Sequence, residues 1–362
     1  MKRIAFFLFV LSLFQFKDGF SQFKLQVIDS SKFILVSKNS SINFRNLSFR
    51  GMHVVNDKVV WVSGSQSVVA KSIDGGKTFI IMQIPGFPNL QLRSIYGFSK
   101  DVAIVVASGS PAYIFKTVDG GGTWRKVFQN TDPAIFLDAI DFWDISKGAV
   151  IGDPIDERFV LYKTNDAGNT WYPFDTAMRP WAIPGESLFA ASGTSFKCLP
   201  KGSVGFVTGG SVSVFHWLQM GKFYQRYELK SMKSGSPSKG AFSFDINKNY
   251  IAIVGGDFES DTAKTKQSVY YYEYREEGLE LLNAKPFFTG YRSCVTFVGE
   301  GPEFITCGPT GVESNHTESV EVNPSKGKGK ISDNSFNVVR SDKSGKLIIL
   351  AGSQGKIAVL TK

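Results

Sequence analysis

The stretch Ser72-Ile-Asp-Gly-Gly-Lys-Thr-Phe79 recurs twice, as Thr117-Val-Asp-Gly-Gly-Gly-Thr-Trp124 and as Thr164-Asn-Asp-Ala-Gly-Asn-Thr-Trp171. Asp74, Asp119 and Asp166 stand 45 and 47 residues apart. Each copy follows a strand-like run (Val68 to Lys71, Tyr113 to Lys116, Phe159 to Lys163) and closes on an aromatic that opens another strand. An Asp carboxylate accepts backbone N–H groups across such a turn, and Gly supplies positive φ. The three aspartates are therefore read as structural, each pinning one turn of a repeated unit.

A second landmark extends the repeat. Apolar runs end in glycine at Gly64, Gly109, Gly152, Gly209, Gly255, Gly308 and Gly352, with gaps of 45, 43, 57, 46, 53 and 44 residues. A further strand precedes each run, so one unit holds four strands in about 45 residues, the period of a propeller blade. The expected fold is all-β: a seven-bladed propeller of four-stranded antiparallel blades. The last unit has only three strands before Lys362. The N-terminal stretch Phe23 to Ile28, or Phe33 to Val36, is expected to complete it and close the ring. An open array, or six blades with a cap, is the alternative. Nothing in the sequence reads as a helix of three turns.

Composition agrees with strands. Of 362 residues, 43% are hydrophobic, 20% charged and 14% aromatic, with 32 Phe and 36 Gly. These values exclude a disordered chain, a coiled coil and a polytopic membrane protein. The net charge of +9 is spread along the chain and reads as a solvated basic surface. Lys2 and Arg3 precede an apolar run from Ile4 to Phe16, and Gly19 and Ser21 supply small residues before Gln22. That pattern predicts a signal peptide over 1–21, a single propeller over 22–362, and a secreted or periplasmic monomer. Cleavage would lower the net charge to +7.

Aligning the first strands places Arg50, Arg93, Asp138 and Arg292 at matching positions by one mouth of the central channel. Converging guanidiniums suit a carboxylate or phosphate, which they hold bidentately; alternatively they pair within the chain and seal the channel. Asp153, Arg158 and Asp257 lie on turns at the same rim, and Glu186 enters it. Asp138, Asp153, Glu186 and Asp257 could supply the two carboxylates of glycoside hydrolysis, or serve as ordinary turn caps. Asp257, Glu259 and Asp261 alternate as calcium ligands would. Cys294 and Cys307 are expected opposite one another on paired strands, as a cross-strand disulfide or as two packed thiols, with Cys198 left over.

Other chemistries are absent from the sequence. His53, His216 and His316 stand apart, without metal-ligand spacing. There is no dinucleotide fingerprint, phosphate-binding loop or nucleophile elbow. Lys326 to Lys330 alternates Lys with Gly without aromatics, which reads as a loop and not a nucleic-acid patch.

The repeated turn resembles the Asp-box (BNR repeat) of sialidase-type propellers. More widely, Ser48-Phe-Arg-Gly51, Phe136-Leu-Asp-Ala-Ile-Asp-Phe-Trp-Asp144, Gly152-Asp-Pro154, Leu188-Phe-Ala-Ala-Ser-Gly-Thr194, Val254-Gly-Gly-Asp257, Gly290-Tyr-Arg-Ser293 and Gly308-Pro-Thr-Gly311 are similar to propellers related to the photosystem II stability and assembly factor. A secreted bacterial branch of these is loosely labelled "oxidoreductase". The resemblance implies a secreted seven-bladed propeller and carries no established reaction; the assembly factor itself binds a membrane-protein precursor. The sialidase Arg-Ile-Pro motif is missing, as is an identifiable Tyr–Glu nucleophile pair. The expected function is binding or assembly without catalysis or cofactor, holding a protein segment or small anionic ligand at the channel mouth. A glycan-active hydrolase or lyase is the alternative.

Overall fold

Runs such as Val60–Gly64 and Ala103–Ser108 are continuous because both their faces are covered, and every residue in them is buried. A computed structural model describes residues 23–36, 42–219, 222–248, 250–260, 266–275, 278–301, 303–316 and 329–362. The expected signal peptide lies outside them. The described chain is all-β, broken only by short 3-10 turns.

Phe49–Val54, Val60–Gly64, Val68–Ser72 and Phe79–Gln83 form an antiparallel sheet in chain order. Gln91–Gly97 to Arg125–Asn130, Leu137–Phe142 to Tyr172–Pro173 and Cys294–Phe297 to Gly329–Ser332 form three more four-stranded sheets. Val338–Ser341, Ile348–Ala351 and Ile357–Thr361 gain Lys24–Val27 as their fourth strand, with Leu25 opposite Leu360. The other N-terminal stretch, Phe33–Leu35, runs parallel to Phe79–Gln83 as a fifth strand of the first sheet.

Two expected units are merged. The end of Ser203–Gly210 pairs with Ser236–Asn247, joining the sheets on either side into one of nine strands. Gly209 and Gly240 permit this, since a Cβ on either would overlap the other's backbone.

The first strands pack on one another: Phe49–Val54 on Gln91–Gly97, that strand on Leu137–Phe142, and Leu137–Phe142 on Phe196–Leu199. Likewise Ser236–Asn247 packs on Cys294–Phe297, which packs on Val338–Ser341, and this last strand meets Phe49–Val54. Apolar clusters fill the spaces between sheets; one joins Val60 and Phe79 to Leu350 and Ile357, near the two ends of the chain.

Four first strands carry a bulge, where register skips Arg50, Arg93, Asp138 and Phe242. A bulge leaves one residue unpaired and re-aims its side chain. It also explains the recurrent glycine, because a Cβ on Gly152 would overlap the Phe136 carbonyl oxygen beside the bulge.

The three repeated turns share one hydrogen-bond pattern. Asp74 accepts from Ser72 Oγ at 2.8 Å, Thr78 N–H at 3.0 Å and Thr78 Oγ1 at 2.6 Å. Asp119 and Asp166 repeat these contacts with Thr117 and Thr123, and with Thr164 and Thr170. The donors hold Asp119 and Asp166 down at about 2. The preceding lysines tie neighbouring units together: Lys71 Nζ donates to Gly120 O at 2.7 Å and Lys116 Nζ to Ala167 O at 2.8 Å.

Candidate functional site

At one end of the first strands, the bulges aim Arg50, Arg93 and Asp138 inward, beneath the loop 188–194. Arg50 Nη1 donates to Ala191 O at 3.4 Å and Arg93 Nη1 to Ala190 O at 3.2 Å. Burial, assisted by the like charge of Arg50, brings Arg93 down to about 10. Asp138 is fully buried, and neither carboxylate oxygen has a hydrogen-bond partner among the described residues. Burial and the neighbouring charge of Asp153 push it well above the usual carboxylate range, against the pull of Arg93. Burial also raises Asp153 to about 6, although its Oδ1 accepts the Leu188 N–H at 2.9 Å. These four predicted residues do meet, and one donor of each arginine is taken by a carbonyl of the chain, while Arg93 Nε has no partner among the described residues. The loop partly covers this mouth.

The remaining predicted residues have partners elsewhere. Arg292 is buried against Glu313, 3.1 Å away, and also donates to Thr310. It stands four positions before Thr296, whereas Arg50 stands three before His53, so it is out of register with the arginine cluster. Arg158 donates to Arg179 O at 2.7 Å and stacks on Trp181. Glu186 and Asp153 border one cavity of about 410 Å3. Glu186 Oε1, however, faces His216 at 2.7 Å and Thr208 at 2.6 Å, while Oε2 accepts the Ile183 N–H. Asp257 is buried and caps its own turn, accepting the Glu259 N–H at 3.2 Å. Of the four candidate catalytic carboxylates, Asp153 and Glu186 share that cavity, with Glu186 held by His216, Thr208 and Ile183 and Asp153 by Leu188, while Asp138 and Asp257 are buried. Asp261 of the calcium expectation lies outside the described residues, and no metal-binding group of three is found among those described. Cys294 and Cys307 are opposite in register but free. The disulfide is not formed: Cys294 Sγ lies 3.4 Å from Val339 O and 3.6 Å from Thr194 Oγ1, on neighbouring elements.

The other end of the first strands is open. Three positions beyond each bulge or its equivalent stand His53, Tyr96, Asp141, Lys197, Asp245, Thr296 and Arg340. All of these except Asp141 line a cavity of about 510 Å3, together with Phe98, Trp143 and Phe297. Its acids are committed. Asp245 is paired to Lys197 at 2.9 Å and accepts the Phe297 N–H at 2.9 Å. Asp144 accepts from Ser146 and Lys147, and Asp342 from Ser344 and Leu347. Asp141, facing the same space electrostatically, accepts the Cys198 N–H at 2.8 Å, and burial raises it. Burial brings His53 down to about 3, so it is neutral, and its ring lies tilted against Tyr96 with centroids 4.1 Å apart. Arg340 is only partly buried, and its charge pulls on Asp245 and Asp141 from across the cavity without a close ion pair among the described residues. Sequence reasoning missed this end because it followed the arginines; carrying the same alignment three residues further would have found it.

No protein-family model and no curated protein matches the chain. Solved structures do. YCF48 bound to a D1 peptide superposes with a TM-score of 0.63 at 10% identity, covering 95% of this chain and 98% of that one. YCF48 from Cyanidioschyzon merolae gives 0.62 at 12% identity, covering 93% and 99%. This chain has a β-propeller fold. A catalytically inactive virginiamycin B lyase from Staphylococcus aureus with quinupristin is also similar, at 0.58 and 12% identity over 94% and 99% of the two chains. Among the described residues, no helix is long and apolar enough to cross a membrane.

Proposed function

We propose that the chain is a secreted, non-catalytic binding propeller that holds an acidic protein segment in the cavity at the open end of its channel. It has seven blades, closed into a ring by Lys24–Val27, and forms one domain over 22–362 after removal of 1–21. Arg340 carries the reading. A guanidinium inside a cavity, whose nearest acids Asp245 and Asp141 are hydrogen-bonded to Lys197, Phe297 and Cys198 and reach it only through space, is complemented by a ligand carboxylate. The aromatic walls, Tyr96, Phe98, Trp143 and Phe297, suit the apolar body of a peptide. A protein of the same fold has been seen with a peptide bound, which supports the same use of this scaffold.

The test is a peptide array displaying each sequence with a free carboxylate and as its amide. Binding should prefer the carboxylate form. Arg340→Ala should weaken it roughly tenfold to a hundredfold, as loss of a charge-assisted hydrogen bond does, whereas Arg50→Ala should leave it unchanged. Equal binding of acid and amide, or indifference to Arg340→Ala, would refute the proposal.

A further inference from the structure

A third cavity, of about 270 Å3, lies at the outer side of the molecule beside the loop that carries Trp181. Trp181 is 53% exposed yet firmly held. Arg158 forms a β-bridge with it and lays its guanidinium 3.7 Å from the ring centre. That guanidinium is fixed in turn to Arg179 O at 2.7 Å, and the Phe159 N–H ties Pro180 at 3.1 Å. An aromatic face on a pre-ordered loop loses little entropy when a ligand covers it.

Tyr224, 36% exposed, borders the same cavity. Its hydroxyl is 2.8 Å from His216 Nδ1, and His216 Nε2 is 2.7 Å from Glu186. Burial lowers the His216 pKa, which favours the neutral ring, while hydrogen bonds from His216 and Thr208 outweigh burial and lower that of Glu186. The single ring proton then sits on Nε2, facing the carboxylate, and Nδ1 is left as an acceptor. With the ring neutral, Tyr224 therefore donates to it. Its oxygen consequently offers only lone pairs to the cavity. The lining also contains Arg158, Arg179 and Lys222, and no carboxylate.

We propose that this cavity binds a carboxylate-bearing sugar ring of an acidic glycan. Trp181 receives the C–H face of the pyranose, Tyr224 accepts a sugar hydroxyl, and the three cations face the carboxylate. A neutral sugar would leave that positive charge uncompensated. This site is separate from the Arg340 cavity and does not depend on its function.

The full chain is titrated by isothermal calorimetry with tetragalacturonate and with sialyllactose. Their uncharged counterparts, methyl-esterified tetragalacturonate and lactose, are the controls. At least one acidic probe should bind at least about tenfold more tightly than its neutral counterpart, the size of one charge-assisted contact. Trp181→Ala should abolish binding, Tyr224→Phe should weaken it severalfold, and Arg340→Ala should leave it unaltered. Circular dichroism checks that each variant is folded, and Tyr224→Phe removes only one oxygen. Failure of both acidic probes to bind, equal binding of the neutral sugars, or full affinity in folded Trp181→Ala would overturn the assignment.

Discussion

Asp153→Asn should make the protein more stable at neutral pH, and the gain can be worked from its surroundings. Burial lifts this carboxyl from its ordinary 3.8 to about 6 in the folded chain. Each pH unit between folded and unfolded pKa is worth about 1.4 kcal/mol, so the gap amounts to at most about 3 kcal/mol, part of it shared with the neighbouring Asp138. The sign follows from the direction of the shift. A group whose folded pKa is raised contributes fully below its unfolded value, and that contribution is lost as pH rises through the folded value. Wild type should therefore lose at most about 3 kcal/mol through Asp153 between about pH 4 and pH 7. The asparagine cannot ionise, and its carbonyl still accepts the Leu188 N–H that Asp153 binds at 2.9 Å. Urea unfolding of both proteins across that range is the assay. The two should be nearly equal at the acid end, with the variant ahead by at most about 3 kcal/mol at neutrality. Parallel profiles, or a variant weaker at neutrality, would refute the reasoning about this buried acid.

Asp74→Ala should destabilise the protein by about 1–2 kcal/mol, as removal of a capping carboxylate does, because four turn donors lose their acceptor; equilibrium denaturation measures it. Arg292→Ala should destabilise by about 3–5 kcal/mol by stranding a buried charge. Adding Glu313→Gln should restore part of that loss in the same assay.

Much of the fold was legible because its signals are local. The turns at Asp74, Asp119 and Asp166 hold themselves together, so their residue types must recur wherever the turn recurs. The glycines were legible for a related reason, since Gly152 faces a backbone carbonyl that no side chain would clear. The merging of two sheets through Gly209 and Gly240 was not legible, because glycine spacing does not say which distant strand approaches. The site divided in the same way. Alignment brought Arg50, Arg93 and Asp138 to one place, and bulges put them there. What lies over them, the carbonyls of Ala190 and Ala191, is a long-range contact of an irregular loop. Arg292 was misplaced for the same reason, its partner Glu313 being set by strand pairing.

The most direct test of the proposed ring joins its two ends. Leu25 and Leu360 stand opposite one another in the Lys24–Val27 and Ile357–Thr361 pair. Leu25→Cys with Leu360→Cys, in a chain whose native cysteines are replaced by alanine, should form an intramolecular disulfide on mild oxidation. Peptide mapping under non-reducing conditions should find that cross-link within a monomer. Free thiols after oxidation, or cross-links only between molecules, would contradict closure, and with it the gathering of Arg340 and His53 around one cavity.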